Sequence, residues 1–232
     1  MSDTKQPHSR RRGPAKTMLS RQRIVDTTIE IMRREGLRKA TMRRVAQELD
    51  TGAASLYVYV RNTGELHAAV IDELLGTIDD PGTGTWQQQL VELVTDYRDV
   101  LMRDHGLARS ALVIRPNGPH LLALFDRMMT LLIEGGVEPV SAAWGADMLL
   151  LHATAIAAEH AAPEDGDADA GDLPDDVHHA LTVAVQTADS TSTPALAEHA
   201  DAVMAGSPAQ RWAWTLNTLI AGIAAGERPP IP

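Results

Sequence analysis

Residues 37–60, LRKATMRRVAQELDTGAASLYVYV, decide the fold of this 232-residue chain. Met42, Val45, Ala46 and Leu49 recur three and four apart, which gives a short helix one apolar face, and Thr41 ahead of them supplies an N-cap. Asp50-Thr51-Gly52 carries turn chemistry, and residues 53–59 offer a second short helix. Upstream, Ile24, Thr28, Ile31 and Met32 repeat at helical spacing between Ser20 and the stop at Gly36. Downstream, Asn62 with Glu65 three residues later has the pattern of a capping box, opening a helix with Leu66, Val70 and Leu74 on one face. Two short helices joined by a tight turn behind a supporting helix are the parts of a helix-turn-helix. A DNA major groove about 12 Å wide admits one helix, and Ala53, Ala54, Ser55, Val58 and Tyr59 are small or polar enough to face base edges there.

The charge distribution agrees with this, although the total does not. The chain carries a net charge of -10, which by itself argues against a polyanionic partner. Residues 1–64 hold 14 Lys and Arg against 6 Asp and Glu, a balance of +8, whereas residues 65–232 hold 7 against 25, a balance of -18. A basic head on an acidic remainder is the electrostatic pattern of a chain whose first part meets a polyanion. Residues 1–19, with Arg10, Arg11, Arg12 and Lys16 and no apolar period, are expected to form a flexible basic arm.

Composition excludes several classes. Apolar residues at 44% and charged residues at 22% are ordinary globular usage, and the absence of Cys removes disulfides, Cys-ligated zinc and thiol catalysis. Arg, Asp, Glu or His interrupts each apolar run short of the roughly 18 to 20 residues a membrane span requires. No apolar stretch follows the basic start as an export signal would require, so no membrane partner and a cytoplasmic location are expected. His152, Glu159 and His160 share one predicted helix and His178-His179 are adjacent, but no metalloprotease, nucleophile-elbow or phosphate-loop pattern frames them. Neither catalysis nor a metal or other cofactor is expected.

The sequence from 79 to 84, DDPGTG, is the clearest break, dividing a head at 20–79 from a body at 85–228. The body is again helical by periodicity, with predicted helices near 85–103, 105–114, 119–135, 139–161, 177–189, 195–204 and 208–225. Seven acids with Gly and Pro across 164–176 predict a mobile acidic loop. No period-two alternation occurs anywhere, so the fold class is all-α. The helices at 139–161 and 208–225 are apolar beyond a single stripe, which suggests pairing with their own copies in a four-helix homodimer interface. The alternative is that both are central helices of one core. Two heads on such a dimer must sit about one DNA turn, roughly 34 to 36 Å, apart, which predicts an inverted-repeat operator.

Residues 37–60, with the flanks from 24 to 75, resemble the N-terminal domain of the TetR family of bacterial regulators. An LTMRRLA-like segment and an SLYxxF/V-like segment stand at the family spacing, and LYVYVRN is closest to the tetracycline-repressor branch. The usual turn glycine is Asp50 here, a residue that tolerates the left-handed conformation. The resemblance implies that Thr41 and Tyr57 contact phosphates, that Arg43 can reach a base edge, and that Ala53, Ala54, Ser55 and Tyr59 face the groove. Arg61 and Arg44 complete the expected DNA-contacting set, Arg44 with the alternative of a solvated surface charge. It further implies a repressor released from its operator by a small molecule bound in the body. Large side chains there are the candidate pocket: Trp86, Tyr97, Met102, Phe125, Met128, Met129, Trp144, Met148 and His152, with Asp147 as a charge in an apolar run. Such side chains also build ordinary cores. The competing function is a helix-turn-helix dimer that organises DNA without an effector.

Overall fold

A computed structural model describes residues 18–104, 106–114, 116–160 and 173–226. Most of the expected basic arm and the part of the acidic loop before residue 173 therefore lie outside the described residues. The N-terminal elements are α1 (Arg21–Glu35), a 3-10 turn (Leu37–Lys39), α2 (Met42–Glu48), α3 (Ala53–Leu56) and α4 (Thr63–Leu75). Then follow α5 (Trp86–Arg103), α6 (Leu107–Val113), α7 (Pro119–Glu134), α8 (Pro139–His160), α9 (Leu173–Gln186), α10 (Pro194–Glu198), α11 (Ala200–Met204) and α12 (Pro208–Ala225). Among the described residues there is no strand, and the all-α fold class holds.

Local chemistry sets the helix ends. The Oγ atoms of Ser20 and Thr41 each accept the N–H three residues on, from Arg23 and Arg44. Thr85 with Gln88, and Ser207 with Gln210, form complete capping boxes. The box expected at Asn62 is only half formed. Asn62 Oδ1 accepts the Glu65 N–H at 2.8 Å, but the Glu65 carboxylate reaches past Asn62 to the Arg61 N–H at 2.7 Å, where it also meets the Arg61 guanidinium.

Three expectations are corrected. The second helix of the pair ends at Leu56; residues 57–59 form a further turn, in which the Tyr59 and Val60 N–H groups both donate to the Leu56 carbonyl, and Val60 is buried beyond it. The acidic loop does not extend to 176, since residues 173–176 are the first turn of α9. The segment at 195–204 is two five-residue helices broken at His199.

Ile24, Ile31, Leu56, Leu66 and Ile71 are fully buried and form the centre of the N-terminal helices. In the remainder, α8 lies against α5, α6, α7 and α12. By length and composition α8 could cross a membrane, contrary to the expectation that charges interrupt every such run. In this fold it is a packed helix, burying Ala142, Ala146, Leu149, Ala153 and Ala157 along one side. Its small residues permit close approach: a Cβ on Gly145 would stand 2.8 Å from Ile223 of α12. The helix α4 touches both groups, lying against α1 on one side and α5, α6 and α7 on the other.

Candidate functional site

The turn between α2 and α3 depends on one residue. Asp50 has φ 48, the left-handed conformation that glycine adopts most readily, and is the only residue other than glycine with positive φ among the described residues. Beyond it α3 is anchored by the fully buried Leu56, while Tyr57, Val58 and Tyr59 are exposed in succession. Ala54 is exposed and Ala53 and Ser55 are half-buried. Thr41 and Arg43 are exposed at the start of α2, and the Arg61 side chain is 86% exposed. Thr41, Arg43, Ala54, Tyr57 and Arg61 are thus all open to solvent.

Besides Thr41, which caps α2, and Arg61, which pairs with Glu65, Arg44 and Tyr59 of the expected set have partners on other segments of the fold. Arg44 is part-exposed and paired. Its Nε and one terminal nitrogen grip Glu35 of α1 at 3.1 and 2.7 Å, while the other terminal nitrogen donates to Glu48 at 2.7 Å. Arg34 joins the same carboxylates, at 3.0 Å to Glu35 and 3.3 Å to Glu48. Hydrogen bonds from Arg44 first and Arg34 second pull the Glu35 carboxyl down to about 2. This ties α2 to the end of α1. Tyr59 uses its hydroxyl to donate to the Leu19 carbonyl at 2.9 Å, fixing the segment that enters α1. No sequence signal marks that contact, since the two residues are 40 apart and neither sits in a capping position.

The expected pocket residues differ in exposure. Tyr97 and Met128 are buried in the core, and the Tyr97 hydroxyl lies 2.8 Å from Thr154 Oγ1. Trp86 is half-buried, and a Cβ on Gly135 would overlap its ring; Phe125 and Met129 are also half-buried against the core. Met102, Trp144, Asp147 and Met148 are exposed. Trp144 and Met148, with Leu151, leave an apolar face on α8, and Trp214 is exposed on α12.

His152 does enter a constellation, with partners that periodicity could not supply. Its ring stacks on Trp212 at 5.8 Å and 8°. The Arg98 guanidinium lies over the same indole at 4.3 Å, and the indole N–H donates to Thr95 Oγ1 at 3.0 Å. His152 Nε2 is buried with no hydrogen-bond partner among the described residues, and burial lowers the pKa of this imidazole. A separate cavity of about 150 Å³ opens between the end of α4, α5 and α7, lined by Leu75, Ile78, Leu93, Leu124, His120 and Arg127 among others. None of the ten expected pocket residues lines it.

Comparison with known proteins places this architecture. The family described as Tetracyclin repressor-like, C-terminal domain, matches residues 78–226. SCO7704 from Streptomyces coelicolor is 45% identical, with 93% of this chain and 99% of that one covered and a TM-score of 0.76. ActR from Streptomyces coelicolor, in complex with actinorhodin, is 33% identical over 90% of this chain and 97% of that one, also at a TM-score of 0.76. The HTH-type transcriptional repressor DrrR1 of Streptomyces coeruleorubidus is 34% identical over 54% of this chain and 47% of its own length. The chain spans about half the length of the curated relatives it matches.

Proposed function

Because the chain belongs to the TetR family of transcriptional regulators, we propose that it is a DNA-binding repressor, released from an inverted-repeat operator by a small molecule held in its C-terminal part. The observation that carries this is the exposure of Ala54, Tyr57, Val58 and Tyr59, set behind the left-handed Asp50 and anchored by Leu56. In this reading residues 20–79 are the DNA-binding head and 85–228 the ligand-binding and dimerisation body. Thr41 and Tyr57 hold phosphates, Arg43 reads a base edge, Ala53, Ala54 and Ser55 face the groove with Tyr59 at its rim, and Arg61 adds backbone attraction. Arg44 positions α2 instead of touching DNA.

ActR, with actinorhodin bound, supports an organic effector over a dimer that only organises DNA. The apolar faces left by Trp144, Met148 and Leu151 on α8 and by Trp214 on α12 support pairing with a second copy. We assign no catalytic role, cofactor or membrane partner, and place the protein in the cytoplasm.

The test is selection of bound duplexes from random DNA, followed by titration of the recovered site. An inverted repeat is expected, with affinity falling as salt rises. Arg43→Ala should lose about 1–3 kcal/mol of discrimination at one position per half-site, whereas Tyr57→Phe should weaken all sequences alike. No preference for any duplex at moderate ionic strength would overturn the function.

A further inference from the structure

The N-terminus of α7 lacks a cap of its own. Its N-cap residue is Gly118, which has no side chain to accept the first free N–H groups of a 16-residue helix. Asp72 of α4 does this work from another element. One carboxylate oxygen accepts the Leu121 N–H at 2.9 Å; the other lies 3.5 Å from the His120 N–H and 3.3 Å from His120 Nδ1. These are the N2 and N3 positions that a capping side chain normally serves, and the negative charge sits at the positive end of the helix dipole. The Asp72 side chain is only 10% exposed, and a Cβ on Gly118 would fall 2.1 Å from its carboxylate. Gly118 has φ -83 and ψ 177, values any residue can adopt, so its lack of a side chain serves the approach of Asp72 and not a turn. A turn further on, a Cβ on Gly76 would stand 2.8 Å from the His120 ring, so the two helices also meet closely there. Beside this contact the cavity between α4, α5 and α7 leaves the end of α4 incompletely packed.

We propose that Asp72 is the positioning residue that fixes the head on the body, because the carboxylate borrowed from α4 caps α7 and so holds both heads of a dimer at the spacing an inverted repeat demands. The inference rests on the dimeric DNA-binding function above. The head is otherwise joined to the body by packing around α4, which a cavity interrupts, and by a long ion pair of 3.8 Å between the exposed Arg33 of α1 and Asp104. With the carboxylate in place, α4 has a defined position relative to α7. Without it the heads sample more positions, the fraction matching two grooves at once falls, and apparent affinity falls with that fraction.

The discriminating variant is the pair Asp72→Ala with Gly118→Ser. Serine at the N-cap restores the cap of α7 from within its own chain segment, in space vacated by the carboxylate, but does not restore the tie to α4. All four tryptophans, Trp86, Trp144, Trp212 and Trp214, lie in the body, so thermal melting followed by their emission reports whether α7 is again capped. With the duplex selected for the wild-type protein, the expected result is melting near wild type, about tenfold weaker binding to the inverted repeat, and unchanged binding to a duplex holding one half-site. Retained wild-type affinity for the repeat, or an equal loss on the half-site, would overturn the proposal. Should the double variant not fold, Asp72→Asn, which keeps one acceptor oxygen, carries the same test with a smaller loss confined to the repeat. A wild-type protein that binds one half-site as tightly as two would instead count against the dimeric function itself.

Discussion

In the head, α1, α2 and α4 are capped by side chains three residues away, and the clamp on α2 joins Arg44 to Glu35 nine residues back. In the body, Tyr97 meets Thr154 57 residues on, and Trp212 meets Thr95 117 residues back. The difference follows from helix length. The four residues of α3 and the seven of α2 cannot sustain themselves, because nucleation costs more than so few hydrogen bonds return. α2 is fixed by the Thr41 cap and the Arg44 clamp, whereas α3, with no side-chain cap, is held by the buried Leu56. The body helices α5, α7, α8 and α12 run 16 to 22 residues and are fixed by the surfaces they bury. Polar groups inside those surfaces must find partners on whichever helix packs there.

The largest expected break in this comparison is Leu56→Ala. Leu56 is the one fully buried side chain of α3, so truncation should cost about 2–5 kcal/mol. Duplex binding should be abolished while the tryptophan-reported melting of the body stays close to wild type. Head and body would not be separately stabilised if tryptophan melting dropped by the full amount.

The same contrast governs what could be read from sequence. The cap at Thr41, the stop at Gly36 and the special turn at Asp50 are local chemistry, and the fold class and most helix bounds followed from helical periodicity together with such signals. The exposed residues of α2 and α3 were legible for the same reason. The role of Arg44 was not, because its main partner lies on another helix, and the hydroxyl bond of Tyr59 to Leu19 gave no sign. In the body, large side chains marked buried surface without saying which helices would meet. Met128 and Tyr97 therefore proved to be core, and His152 gained a neighbour, Trp212, that only folding brings to it. The contact between Asp72 and α7 was hidden for the same reason, since the carboxylate that stands in for a cap at Gly118 lies 49 residues from Leu121.

A smaller effect tests the long-range side. Tyr97→Phe removes a buried hydroxyl bonded to Thr154, which retains its own donation to the Leu150 carbonyl at 2.8 Å. Because Thr154 is not orphaned, the cost should be about 1 kcal/mol, seen as lowered tryptophan-reported melting with duplex affinity unchanged. A loss as large as that of Leu56→Ala would mean that polar contacts, not packing, carry the body.

The smallest effect belongs to the clamp in the head, and pH isolates it. The folded Glu35 carboxyl is held near 2, below its ordinary value of 4.5, by hydrogen bonds from Arg44 and then Arg34. A depressed carboxylate contributes stability above its ordinary value and loses that contribution as pH falls through 4.5 toward 2. The group is open to solvent, so screening keeps the contribution small. Glu35→Gln should therefore lower the melting of the head slightly at neutral pH, as followed by circular dichroism. The gap from wild type should close as pH falls from about 5 to about 2, where the native carboxylate is itself becoming protonated. Added salt should narrow the gap at neutral pH in the same way, since exposed ion pairs are screened. A gap that persisted unchanged at about pH 2 would assign the effect of Glu35 to packing against α2, and the head would then owe its coherence to contacts of the kind that hold the body.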